Sequence, residues 1–403
     1  MVLSLLAGAA LLISQPDWAK DLPPQARWIA LQVATDTTPA PPAVITPAHQ
    51  KDLDDDIALG KKVAEEVAKE LKSSTSQPMI DRVNRIGGEL ARIARTHQVE
   101  ATWGDRRLNP FNYEFHVIAG DDVNAFSIPG GYIYIYEGLL KFAETDHEVA
   151  GVIGHEIAHA SFRHVATLRR EQSKLEAITL PLILIGLLAG GEAGQGAAIG
   201  TQLAGQAIGS GWSVKAEKSA DYGGLQYILK SGYNPVGLLT FIERLAYEER
   251  TRGEIDWGIY RTHPPNRERV TAIRAMLENA NIDIRRSGSS TTFRAIPVDQ
   301  TDGTFAIKVA GKNVVVFSGE DAGSRAEIAA TRMTNFLDSN PRVFEMSATA
   351  EGQFLGRSDL LFSLTDSDVK FSGKEKEELI EAVLKTLKAA VYDLSYRVGT
   401  VRG

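Results

Sequence analysis

The chain has 403 residues, of which 43% are hydrophobic and 24% charged, and its formal net charge is −7. This balance suits a globular protein of two or three domains, and the net charge offers no basic field for nucleic acid. There is no cysteine. Thiolate metal ligands, a cysteine nucleophile and disulfides are therefore excluded, and a transition metal must be held by histidine and carboxylate.

Residues 1–14 are apolar but too short to span a bilayer comfortably. They have the h-region and small residues of a secretory signal, without its basic n-region; an ordinary apolar N-terminus is the alternative. The expected location is the bacterial periplasm or outside the cell, with association at a membrane surface left open. Residues 15–51 are rich in proline and read as a linker. From Asp52 an amphipathic helix is expected, with Asp54, Asp55 and Asp56 at its start, where the helix dipole favours acids. A second helix is expected from Pro78 to Ala94, and a strand from Phe111 to Ala119. Tyr132 to Tyr136 reads as a strand at the edge of a small sheet, where an extended peptide could add as a further strand; an ordinary hairpin is the alternative.

Thr145 and Glu148 read as a capping box that opens a helix running through His164 towards Arg170. Within it stands His155-Glu156-Ile157-Ala158-His159, the H-E-x-x-H pattern. Residues four apart share a helix face, so His155 and His159 could hold one metal ion. Glu156 would lie close enough to accept a proton from an attacking water. A catalytic zinc takes three protein ligands, so a third must come from elsewhere. Glu217 and Asp221, also four apart, lie on a later helix. Glu217 could be that ligand, and Asp221 could hold the free N–H of a ligand histidine; a solvated acidic face is the alternative. The apolar run 178–189 reads as a buried or cleft-lining helix, and 190–211 as a flexible loop; a membrane-dipping segment is the alternative. His263 precedes two prolines, and such a fixed loop histidine suits a donor to a developing oxyanion, with Arg267 or Arg269 adding charge. A lone loop histidine is also commonly without function.

A Gly/Ser break at 287–290 marks a domain boundary. Beyond it, strands are expected at Phe305–Val309, Val314–Phe317, Val343–Ala350 and Leu360–Leu364. Helices are expected at Arg325–Leu337 and Lys374–Tyr392.

These landmarks together resemble one family. His155-Glu156-x-x-His159, Glu217-x-x-Ala220-Asp221 and Thr262-His263-Pro264-Pro265 are similar to the zinc metalloendopeptidases related to the heat-shock protease HtpX, the CAAX prenyl protease and the periplasmic β-barrel-assembly-enhancing protease. Asn124-Ala125-Phe126 and Gly130-Gly131-Tyr132 match the stretch before that family's active site. The resemblance covers about Asp52 to Asn281 and points to the soluble bacterial branch. It implies one Zn2+ per chain on His155, His159 and Glu217, with Glu156 as general base and Asp221 behind a ligand. It implies a polypeptide substrate laid along Tyr132 to Tyr136, with Tyr132 and Tyr134 in the binding strand and Asn124 and Ala125 on the peptide backbone. His263 would stabilise the tetrahedral intermediate or, as in some relatives, occupy the fourth zinc position and hold the enzyme inactive.

The expected fold is α+β: a mainly helical zincin-type protease domain over 52–286, with a small sheet whose edge strand lines the cleft, and a small α+β accessory domain over 291–403. The expected function is zinc-dependent hydrolysis of peptide bonds in misfolded or unassembled envelope proteins. The rival reading is a chaperone-like envelope protein with a structural or latent zinc site and a protein-binding C-terminal domain. Glu156 favours the enzyme, because a structural site needs no acid beside its first histidine.

Overall fold

The computed structural model describes residues 45–171, 212–251, 257–263, 267–300 and 302–397. The expectations for 1–14, for the linker up to residue 44 and for 178–211 lie outside these residues. Among the described residues, no helix is long and apolar enough to cross a membrane.

The first helix, α1 (Pro47–Glu70), begins earlier than its acidic run suggested. Thr46 caps it by accepting from the His49 amide, and Pro47 occupies the first turn, where no N–H is needed. The last residues of the expected linker are therefore helical, and Asp54–Asp56 fall in the helix body. Asp56 is buried and accepts from Arg163 Nε at 2.6 Å. After α2 (Gln77–Thr96) come β1 (Glu114–Ile118), β2 (Ala125–Ile128) and β3 (Tyr132–Tyr136).

These three strands form a sheet in the order β1-β3-β2. β3 is therefore central, parallel to β1 and antiparallel to β2, which corrects the expectation that Tyr132–Tyr136 is the edge. The turn Pro129–Gly131 folds β2 back onto β3, with both glycines at positive φ, and β1 takes the other side. The outer side of β1 is partly covered by a bridge from Ser73 to Ile118. Among the described residues, no strand pairs with the outer side of β2. Alternation then sorts the side chains. Ala125, Ile133 and Ile135 enter the main core. Phe126, Ile128, Tyr134 and Tyr136 pack against Val63 and Val67 of α1, with Tyr132 at their margin.

A short helix, α3 (Glu137–Phe142), leads to the motif helix α4 (Asp146–Ser161). Thr145 caps α4 by accepting from the Glu148 amide, but the Glu148 carboxylate accepts from the Glu144 amide and pairs with Arg244. The capping box is thus only half formed, because Arg244 draws Glu148 inwards. α4 also stops earlier than expected. Arg163 takes a left-handed conformation (φ 51°), and a separate helix, α5, runs over His164–Glu171. That kink turns the Arg163 guanidinium towards Asp56 and Asp105, which it reaches at 2.6 and 3.1 Å.

The remaining helices of this unit are α6 (Trp212–Ile228), α7 (Val236–Thr251), α8 (Gly258–Thr262) and α9 (Arg267–Asn279). Residues 287–290 are not a loose break. Ser289 and Ser290 are fully buried, Thr145 Oγ1 donates to the Ser289 carbonyl, and Glu144 accepts from Ser290 and Thr292. Arg286 donates twice to Glu243, at 2.7 Å each.

The C-terminal unit holds two antiparallel three-stranded sheets. One is β4 (Ile296–Asp299), β5 (Phe305–Val309) and β6 (Lys312–Phe317); the other is β7 (Met346–Ala348), β8 (Gln353–Gly356) and β9 (Asp359–Ser363). Helices α10 (Ala322–Asp338), α11 (Asp366–Ser372) and α12 (Lys376–Arg397) complete it around a separate apolar core. Residues 343–345 form a 3₁₀ turn in place of the expected strand start. The expected closing helix is α12, and the short α11 ahead of it, which Gly373 ends in a left-handed conformation (φ 66°), had not been expected. The strands β4 and β8 had no sequence signal, being four residues each and only partly apolar.

Arg163 joins α1 to the C-terminal end of the motif helix. Burial opposes ionisation of Asp105, yet Arg107 and Arg163 hold its carboxyl well below the usual carboxylate range. Its folded pKa lies below the unfolded one, so this stabilisation is present at neutral pH and is lost as pH falls through the acid range. Arg163→Ala leaves buried Asp56 without its partner and leaves Asp105 with Arg107 alone. It should cost about 3–5 kcal/mol in urea unfolding at neutral pH, with a smaller difference from wild type in acid.

Candidate metal centre

α4 and α6 cross closely enough to put their ligand side chains in one place. The contact depends on glycine: a Cβ on Gly224 would lie 2.7 Å from the His155 amide nitrogen. Likewise a Cβ on Gly237, at the start of α7, would lie 2.2 Å from the His147 carbonyl oxygen. The motif helix is thus held at backbone distance by two neighbours, and nearly all of its residues are buried.

Four donor groups converge there. One ligand atom each of His155, His159, Glu217 and His263 lies within 4.8 Å of the others. His155 Nε2 and His159 Nε2 are 3.0 Å apart. The Glu217 carboxylate lies 3.4 Å from the first and 3.2 Å from the second. His263 Nδ1 is 3.2 Å from both Glu217 oxygens and 3.3 Å from His155 Nε2. Asp221 Oδ1 sits 2.9 Å from His155 Nδ1, on the far side of that ring. A histidine whose Nδ1 is tied to a carboxylate presents its Nε2 lone pair to a metal.

Arg269, rather than Arg267, completes the group. Arg267 is exposed, whereas Arg269 is fully buried. It donates to both Asp221 oxygens at 2.9 and 2.7 Å, lies 3.0 Å from Glu217 Oε2, and donates to the His263 carbonyl at 3.2 Å. Reading it as charge for an oxyanion missed this role. The signal was its place after His263 at the start of an amphipathic helix, but its direction depends on how α9 packs against α6.

The electrostatics favour a cation. Burial works against a charged His155, but Glu217 and Asp221 raise its pKa to about 9, so the carboxylates draw positive charge onto that point. Burial lowers His159 and favours its neutral form, the one that ligates. Burial also opposes ionisation of Glu217, yet His263, Arg269 and His155 hold it well below the usual range. Three buried carboxylates, Glu156, Glu217 and Asp221, face one buried guanidinium. With both histidines neutral, as ligation requires, the imbalance of two charges matches a dication. Glu156 Oε2 is buried without a hydrogen-bond partner, and His263 Nε2 lies 3.3 Å from Glu156 Oε1 without hydrogen-bond geometry, so polar capacity at the centre is unfilled. Two imidazoles and a carboxylate, with no sulfur, form a donor set that fits zinc.

Asn124 is also close. Its side-chain oxygen accepts from Thr262 Oγ1 at 3.3 Å, next to His263, and its Nδ2 is buried without a partner. Ala125 follows at the start of β2. Tyr132 and Tyr134 are not brought to the centre: they lie on the central strand, on the face towards α1. Period-two alternation turns them away from the motif helix.

Residues 87–277 match the model of peptidase family M48. This stretch is an M48 peptidase domain. It spans α4, α6 and the His263 turn, so every group of the centre lies within it. The chain is 31% identical over 158 residues to the beta-barrel assembly-enhancing protease of Escherichia coli (strain K12), covering 38% of this chain and 30% of that one. It is 31% identical over 169 residues to the metalloprotease LoiP of the same strain, covering 41% and 62%. It is 27% identical over 222 residues to the mitochondrial metalloendopeptidase OMA1 of Schizosaccharomyces pombe, covering 55% and 62%. The chain spans about a third of the length of the assembly-enhancing proteases it matches.

The M48 centre needs α4 and α6 in contact. Gly224→Val should destabilise the fold by about 1–3 kcal/mol and weaken metal binding by moving Glu217 away from His155. Gly88→Ala, where a Cβ meets nothing within 4 Å, should leave both unchanged. Urea unfolding and zinc titration of the two variants separate these outcomes.

Proposed function

We propose that this chain is a zinc metalloendopeptidase acting on misfolded or unassembled proteins of the bacterial envelope, located in the periplasm. The observation that carries this reading is the buried Glu156 carboxylate, next in sequence to His155, with Oε1 3.3 Å from His263 Nε2 and Oε2 without a hydrogen-bond partner, where His155, His159, Glu217 and His263 bring their donor atoms together. A zinc ion held by these three ligands supplies Lewis-acid polarisation and an acidified water. Glu156 Oε2, without another partner, accepts the proton of the attacking water and passes it to the leaving amine. Asp221 and Arg269 hold the ligands in place from behind.

The substrate backbone adds along the outer side of β2. The Tyr136 amide donates to the Asn124 carbonyl. In an antiparallel pair, the backbone groups of Ala125 and Ser127 then point away from β3. Asn124 Nδ2 supplies a further donor at the head of that edge. This assignment moves the binding strand from Tyr132–Tyr136 to β2 and retains Asn124 and Ala125. The envelope substrate follows from the names of the bacterial relatives, since β-barrels are assembled into outer membranes. The C-terminal unit is a protein-binding accessory, and its exposed Phe344 and Phe371 are candidate contacts.

The test is hydrolysis of casein by the zinc-loaded protein. Glu156→Gln should retain one zinc and lose at least about 10²-fold in turnover; turnover near that of wild type would overturn the assignment. His263 Nδ1 within the donor set favours a second element, a closed state in which His263 takes the fourth position. His263→Ala should then raise turnover with zinc retained. A fall in turnover would instead assign His263 to the oxyanion.

A further inference from the structure

We propose that His164 is a positioning residue for the metal centre. It accepts the Nδ1 proton of His159 and so fixes that ring in the tautomer that offers Nε2 to the metal. This inference rests on the zinc-protease reading above.

The geometry determines where each proton sits. His164 Nδ1 lies 2.9 Å from His159 Nδ1, with the rings nearly perpendicular. His164 Nε2 lies 3.1 Å from the Trp103 carbonyl oxygen. A carbonyl can only accept, so the proton of His164 is on Nε2. Its Nδ1 is then a lone pair, and the short contact requires the proton on His159 Nδ1. The remaining lone pair of His159 is on Nε2, which faces His155 Nε2 and Glu217. His164 is buried and its two ring partners are an imidazole and a carbonyl, neither of them an anion, so burial keeps this ring neutral.

The seat of His164 is built for this role. The Trp103 carbonyl also accepts from Ser219 Oγ at 2.8 Å, and Ser219 stands two residues after Glu217 on α6. The Trp103 amide donates back to the same hydroxyl at 3.1 Å. The Trp103 ring lies against His164, with centroids 5.1 Å apart. Gly104 has φ +107°, and a Cβ there would lie 2.8 Å from His164 Cδ2 and 2.6 Å from the Phe162 carbonyl oxygen. His155 is thus backed by a carboxylate and a guanidinium, and His159 by a neutral imidazole and a carbonyl. The same loop ties the His159 support to the helix that carries the third ligand.

The test compares wild type, His164→Leu and His164→Asn. Zinc affinity is measured by competition with a chromophoric chelator, folding by thermal unfolding of the apoprotein, and ring tautomers by nitrogen-15 NMR of the histidines. Leucine removes the acceptor, and zinc affinity should fall about 10–100-fold. Asparagine offers its Oδ1 near the place of Nδ1, and should restore affinity to within about threefold of wild type. Wild-type affinity in His164→Leu would overturn the proposal, as would a folded His164→Asn that binds zinc as weakly as His164→Leu. If the leucine variant does not fold, the asparagine variant decides together with the wild-type apoprotein. There the proton should be on Nδ1 of His159 and on Nε2 of His164, and the reverse pattern overturns the proposal. Failure of wild type to take up zinc would remove the protease reading, and the ring tautomers would still decide this one.

Discussion

One buried guanidinium sets the frame of the centre. Arg269 contacts Glu217, Asp221 and the His263 carbonyl at the same time. Two carboxylates on neighbouring turns of α6 would repel each other and resist burial. With Arg269 between them they become fixed points, one towards the histidine pair and one towards the back of His155. The third and fourth donor groups come from separate parts of the chain, and Arg269 is where those parts meet.

A second constraint is distance. A carboxylate on one helix reaches histidines on another only if the helix axes approach more closely than ordinary side chains allow. Gly224 against the His155 amide provides that approach, and small residues at a crossing are its usual means. The arrangement resists change on both counts. A larger residue at the crossing separates the ligands, and loss of the cation leaves two acids buried without compensation.

The parts of this molecule legible in the sequence were those with local causes. The H-E-x-x-H spacing placed His155, Glu156 and His159 on one helix, and the i, i+4 spacing of Glu217 and Asp221 placed them on another. Proline and threonine set the real start of α1, and the acidic run misled because its Asp56 answers to Arg163, far along the chain. Strand order was not legible: Tyr132–Tyr136 has the residues of any strand, and whether it is central or at an edge depends on which segments return to it. The left-handed turn at Arg163, the direction of Arg269 and the contact between His159 and His164 are likewise tertiary events. No pattern in the chain announces them.

The buried serines between the two units have a practical meaning. Glu144 and Thr145, just ahead of the motif helix, bond to residues 289–292, and Arg286 completes Glu243 on α7. A domain cut drawn at the Gly/Ser stretch would therefore pass through the protease unit's own hydrogen bonding. Truncation after residue 286 would strip Glu144 of three donors and Thr145 of its acceptor, at the end of the helix that carries His155. Residues 286–292, which lead into the C-terminal unit, are thus part of the scaffold of the site.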